Sequence, residues 1–169
     1  MTNDRLLIDA FGRVREEVHR VLEGCDPDTL AYRPDPAANS IGWLVWHLAR
    51  VQDDHVAELA ETEQVWTADG FADRFGLPYP ASATGYGQRP EDVGAFSVRS
   101  PELLAAYLDA VHEATTAFLA TVGDADLDRI VDRRFDPPVT LAVRLVSVLA
   151  DDLQHVGQAA YVRGLAERV

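Results

Sequence analysis

Four windows of this chain repeat apolar residues every three to four positions, the spacing that lines one face of an α-helix. In the first, Leu6, Leu7, Ala10, Phe11, Val14, Val18, Val21 and Leu22 follow a cap at Thr2 or Asn3, and Gly24 ends the run. In the second, residues 41–63, Ser40 caps a stripe of Ile41, Leu44, Val45, Leu48, Val51 and Leu59, widened by Trp43 and Trp46. The third opens on Ser100-Pro101-Glu102, a cap, a first-turn proline and an acid at the positive helix end. It reaches about residue 122 through Leu104, Tyr107, Leu108, Val111, Thr115 and Phe118. The fourth follows Thr140, runs to about residue 165, and carries Leu141, Leu145, Val148, Leu149, Leu153 and Val156 as its apolar residues. No segment alternates cleanly enough to be read as a strand. The expected fold is all-α, a four-helix bundle in one domain of residues 1–169.

The connections are unequal. Residues 25–39 read as a loop, broken by Asp26-Pro27-Asp28 and Arg33-Pro34-Asp35-Pro36, with Tyr32 as an anchor. Residues 65–99 are rich in Gly and Pro but also hold Trp66, Phe71, Phe75, Tyr79, Tyr86 and Phe96. A disordered linker is poor in aromatic rings. This reads as an ordered connection packed back on the bundle, with one short helix near residues 68–75. A connection this long lines or covers a site in many folds, and it can cross the whole bundle.

Charge narrows the partners. A formal net charge of −13 argues against nucleic acid, whose phosphates need Lys and Arg, and against an anionic membrane surface. No run approaches the ~20 apolar residues of a membrane span, and the first residues do not form a signal peptide. A lone Cys25 permits no internal disulfide and suits a reducing cytoplasm. All fifteen basic residues are Arg, which reads as the codon bias of a GC-rich genome.

The polar groups that stand out lie in the fourth helix. Asp151 and His155 are four apart, one above the other on a helix face, so both can reach one ion. Asp152, three before His155, is within reach as well, and the spacing leaves open which Asp serves. Arg144, Asp151, His155 and Gln158 make one polar stripe on this helix. His47 stands one turn into the second helix and is the third ligand best placed by depth. His55 is eight residues further, ~12 Å along the helix, too far to share an ion with His47, and reads as structural or exposed. His19 and His112 read as boundary residues. Against a metal site stand two plainer readings of Asp151 and His155, a surface ion pair or a hydrogen-bonded pair without an ion.

The stretches Asn39-Ser40-Ile41-Gly42-Trp43-Leu44-Val45-Trp46-His47-Leu48, Gln52-Asp53-Asp54-His55, Asp151-Asp152-Leu153-Gln154-His155-Val156-Gly157-Gln158 and Tyr161-Val162-Arg163-Gly164 resemble the DinB superfamily. More narrowly they are similar to its actinobacterial, mycothiol-transferase-like branch. The resemblance covers nearly the whole chain as a single DinB-like helical domain. It implies a bundle whose second and third helices run roughly parallel. It also implies a divalent metal, zinc first and nickel next, held by one His of the second helix and a pair four apart in the fourth. That pair is His-x-x-x-His in many members and Glu-x-x-x-His in the mycothiol-dependent maleylpyruvate isomerases. It carries over onto His47, Asp151 and His155, with the shorter Asp as the departure.

The expected activity is a metal-dependent thiol S-transferase or isomerase. By resemblance mycothiol is the co-substrate, bound to the metal through sulfur and attacking a small-molecule electrophile. Arg144, Gln158, Trp66, Tyr79 and Tyr86 are the candidates for holding the thiol or the substrate. Two other readings are a metal-dependent hydrolase of a small ester or amide, with Asp152 or His112 as base, and a non-catalytic ligand-binding bundle. The apolar helices leave a homodimer open.

Overall fold

The computed structural model describes residues 2–168. Four long helices form the bundle: α1 (Asn3–Leu22), α3 (Ile41–Ala60), α7 (Pro101–Leu119) and α8 (Leu141–Ala166). Their starts follow from local chemistry. The hydroxyls of Ser40, Ser100 and Thr140 each accept from the backbone N–H three residues on, Trp43, Leu103 and Val143 respectively. Thr2 stands at the N-cap of α1 without a side-chain bond. α3 stops at Ala60, three residues short of expectation, because Glu61 turns into the left-handed region at φ 56°.

The connections hold more structure than the sequence suggests. α2 (Pro27–Ala31) lies where a loop was expected. Its proline sits at the first turn, where a missing N–H costs nothing, and Asp26 caps it through Thr29 N. The long connection contains α4 (Val65–Ala68), α5 (Phe71–Phe75) and α6 (Pro90–Gly94) rather than one short helix. After α7, a 3₁₀ turn at Asp124–Asp126 leads into a small antiparallel hairpin, β1 (Ile130–Asp132) with β2 (Val139–Thr140). That hairpin was not expected, because strands of three and two residues are too short to display a period.

α3 is the central helix. Its residues 41–50 are all buried, polar ones included, since α2, the long connection, α7 and α8 cover it on every side. α3 and α8 run antiparallel: His47 meets His155, while His55 meets Arg144. α3 and α7 run roughly parallel, as Tyr107 bonds Asp53 near the start and Phe118 and Thr121 share a cavity with Ala60 and Glu63 near the end.

What permits that parallel run is a buried charge pair that docks the connection on α3. Arg50 and Asp53 are 0% and 3% exposed and lie 3.4 Å apart. Asp53 accepts the Tyr107 hydroxyl and the backbone N–H groups of Val65 and Trp66, the opening turn of α4. Arg50 donates to Tyr107 Oη, to Gln64 Oε1 and to the Ala83 carbonyl. Each charge is therefore solvated by protein dipoles in place of water. The rings of Trp46, Trp66, Phe71, Phe75 and Tyr107 close around the network.

Removing Asp53 leaves Arg50 buried and uncompensated. Asp53→Ala is expected to lower the unfolding free energy by about 3–5 kcal/mol, read from urea denaturation. A loss under about 1 kcal/mol would mean that the connection docks without this pair.

Candidate metal centre

His47, Asp151 and His155 each present a ligand atom, and the three atoms lie within 4.8 Å of one another. Backbone geometry places them. His47 projects from the buried part of α3 towards α8, where the i, i+4 spacing aligns Asp151 with His155. The two imidazole rings meet edge to face, centroids 4.6 Å apart.

Each ring is oriented by an acceptor that can only receive a proton. His47 Nδ1 sits against the Thr84 carbonyl, and His155 Nδ1 lies 2.8 Å from the Asp151 carbonyl. Both Nδ1 atoms therefore carry the hydrogen, and each Nε2 keeps its lone pair for a ligand. Trp43 stacks on His47 at 4.7 Å and donates its own N–H to Gln88 in the long connection. Gly85 completes the cradle at φ +96°; a Cβ there would lie 2.6 Å from His47 Nδ1.

The charges suit a cation. Burial, outweighing every other influence, lowers the His47 pKa and keeps that ring neutral. Burial alone would raise Asp151, but the nearby imidazoles, His155 above all, hold it below the usual carboxylate range. Burial alone would lower His155, but the Asp151 side chain and carbonyl bring its pKa above the ordinary value. Asp151 Oδ2 is buried and has no hydrogen-bond partner among the described residues; His155 Nδ1 at 3.4 Å is spent on the main-chain carbonyl instead. A buried acceptor without a donor, beside two imidazole lone pairs, is what a divalent ion satisfies. Two nitrogens and one oxygen fit zinc, nickel or ferrous iron.

A cavity of about 630 Å³ opens beside His47 and Asp151. At its far end Asp132 of β1 takes Nε and Nη2 of Arg134 and Nη2 of Arg144. Those bonds, Arg134's above all, hold the Asp132 carboxyl well below its usual range. Arg144 Nη1 donates to His55 Nδ1 at 2.9 Å, so His55 carries its proton on Nε2. Burial and then Arg144 lower the His55 pKa, consistent with a neutral ring. Two guanidiniums share the Asp132 carboxylate there, and Asp54 is a further acid in the lining.

The structure sorts the expected site residues. His47, Asp151, Arg144 and the highly exposed Tyr86 line the cavity, and His155 adjoins it. Trp66 and Tyr79 do not: Trp66 is 3% exposed among Phe75, Tyr107 and Arg50, and Tyr79 packs on Trp46 and donates to the Asp92 carbonyl. Gln158 is exposed, one turn past His155 and outside the cavity lining. Asp152, considered as an alternative ligand, is 0% exposed and points into the core. His112 lies across the bundle beside Arg15 and Asp109. Asp132, Arg134, Thr84 and Gly85 were not singled out from the sequence as site residues, and His55, read there as structural or exposed, lines the cavity. Only His55 carried a signal, its spacing of eight from His47, which puts it two turns along a similar helix face.

Fold and centre together define a helical bundle that presents two imidazoles and a carboxylate from facing helices to one point. The chain belongs to the DinB superfamily, whose profile residues 10–159 match. A crystal structure described as a conserved protein from Enterococcus faecalis is similar throughout: 29% identity, a TM-score of 0.93, and coverage of 100% of this chain and 99% of that one. No curated protein matches the sequence. No described helix is long and apolar enough to cross a membrane.

Two outcomes follow. Gly85→Ala forces Thr84 and His47 apart and is expected to weaken divalent-ion affinity 10–100-fold with the helical circular dichroism kept; titration calorimetry with zinc reads it, and unchanged affinity would deny the cradle its role. Protonated His155 cannot bind an ion, and its pKa lies above the ordinary value of about 6.5. Ion affinity should therefore start to fall already above that pH, by roughly tenfold per pH unit once below the His155 pKa; a pH-independent affinity there would contradict the ligand set.

Proposed function

We propose that this protein is a divalent-metal-dependent thiol S-transferase, or isomerase, working on a small electrophile in the cytoplasm with a low-molecular-weight thiol as co-substrate. The observation that carries the reading is the convergence of His47, Asp151 and His155 beside an open cavity. Three protein ligands leave a coordination position for an incoming group. When bound there, zinc or nickel would supply acidity, so that a thiol ligand is held deprotonated at neutral pH. By resemblance that thiol is mycothiol.

The chain's own residues have defined tasks in this reading. Thr84 and the Asp151 carbonyl fix the two imidazoles, so the ligand lone pairs are in place before anything binds. The cavity has the volume of a small-ligand site. Arg144, Arg134 and the His55 Nε2–H offer donors to polar or anionic groups of the thiol or the substrate. Tyr86 and Phe135, both exposed at the rim, offer apolar faces. In the transfer, a sulfur–carbon bond forms, the leaving group departs with its electron pair, and the thiol proton passes to solvent. Cys25 takes no part: its thiol donates to the Val21 carbonyl, away from the cavity, and burial raises its pKa.

Placement weighs against the hydrolase alternative. It needs a base next to a metal-bound water, and neither Asp152 nor His112 reaches the cavity.

Protein purified without chelator or affinity nickel should carry about one divalent ion per chain, and His155→Ala should lose it, read by metal analysis. Conjugation of a generic aromatic electrophile should need both the ion and added mycothiol. Full occupancy in His155→Ala sinks the metal assignment; turnover without thiol sinks the transferase and favours the hydrolase.

A further inference from the structure

We infer that the outer face of α8 pairs with the same face of a second copy of this chain. Val143, Val146, Ala150, Leu153, Gly157 and Tyr161 are all exposed there. They step along the helix by three, four, three, four and four, a heptad-like seam of about five turns, or ~27 Å. Leu153, 51% exposed, was expected in the core; it is the centre of this seam.

Charge identifies the occupant. The other exposed positions between residues 143 and 161 are Ser147, Gln154 and Gln158, so the face carries no charge at all. The chain as a whole is −13, and the exposed face of α1 carries Asp9, Arg13, Glu16, Arg20 and Glu23. A two-fold pairing sets each residue of a face against the same patch of its twin, so a charge buried there must lose its water. Among the described residues the outer face of α8 avoids that cost, whereas α1 does not. It is also low: Ser147 and Gln154 fold back onto the carbonyls of Val143 and Ala150, and a Cβ placed on Gly157 would meet nothing within 4 Å. A second helix can therefore approach closely at the Gly157 end. The Val143 end is continuous with the cavity, whose wall includes Val143 and Ser147 and whose rim holds the exposed rings of Tyr86 and Phe135. A second copy on the seam borders the mouth of that cavity.

Sedimentation velocity and light scattering on the full chain should give a dimer at micromolar concentration. Val146→Glu and Leu153→Glu each put a charge without a partner into the seam and should each weaken the dimer by ~100-fold or more. Both side chains are exposed in the single chain, so the thermal melt of the resulting monomer should still be cooperative. Leu6→Glu, an equally exposed apolar position on α1, should leave the dimer intact. A wild-type chain that stays monomeric overturns the proposal, as do α8 variants that stay dimeric, or a dimer that Leu6→Glu disrupts to the same degree.

Discussion

The buried pair of Arg50 and Asp53 sets the terms for the rest of the molecule. Neither charge can sit in an apolar interior alone, and their mutual attraction does not repay the loss of water. What repays it is the backbone of the connection itself, the N–H groups of Val65 and Trp66 and the carbonyl of Ala83. The long connection is therefore bound to α3 by its own main chain at two places almost twenty residues apart. With its first half so held against α3, the connection crosses the bundle over its remaining residues instead of turning back as a hairpin. α7 then starts at the same end as α3, and the two run parallel.

The same docking prepares the metal centre. From Ala83 the chain goes directly to Thr84 and Gly85, which lie against His47. The residue that bonds Arg50 thus immediately precedes the one that fixes the His47 tautomer. α8 orients its own imidazole without outside help, because the residue at i−4 offers both a carbonyl for Nδ1 and a carboxylate for the ion. One ligand depends on tertiary structure and two depend on a helical turn.

Sequence was informative wherever local chemistry decides the outcome. The caps Ser40, Ser100 and Thr140 placed three helix starts to the residue, and the i, i+4 pair in α8 with His47 in α3 pointed to the three side chains that converge. It was uninformative where position depends on distant chain. Trp66, Tyr79 and Tyr86 are alike in sequence, aromatic rings in a Gly- and Pro-rich stretch. Trp66 sinks into the core where Asp53 binds its backbone N–H, Tyr79 is held half-buried by the Asp92 carbonyl, and Tyr86 is left outside. Asp132 and Arg134 enter the cavity on a hairpin too short to announce itself. Leu153 shows a different limit. α8 has apolar residues on two faces, and periodicity cannot say which face meets the bundle.

Asp151 and Asp152 show how one step along a helix separates two chemistries. A rotation of about 100° turns one carboxyl towards His155 and the cavity and its neighbour into the core. Neither oxygen of Asp152 has a partner among the described residues. Burial, reinforced by the Asp151 charge beside it, raises the Asp152 pKa well above its ordinary value, which favours the neutral acid. Asp151, facing two imidazoles, stays ionised. Ionisation of Asp152 would put two adjacent negative charges into a dry helix interface, and the cheaper state leaves one. The neighbour that spacing alone admitted as an alternative ligand faces the core, and the charge of Asp151 stands on the side where a cation can use it.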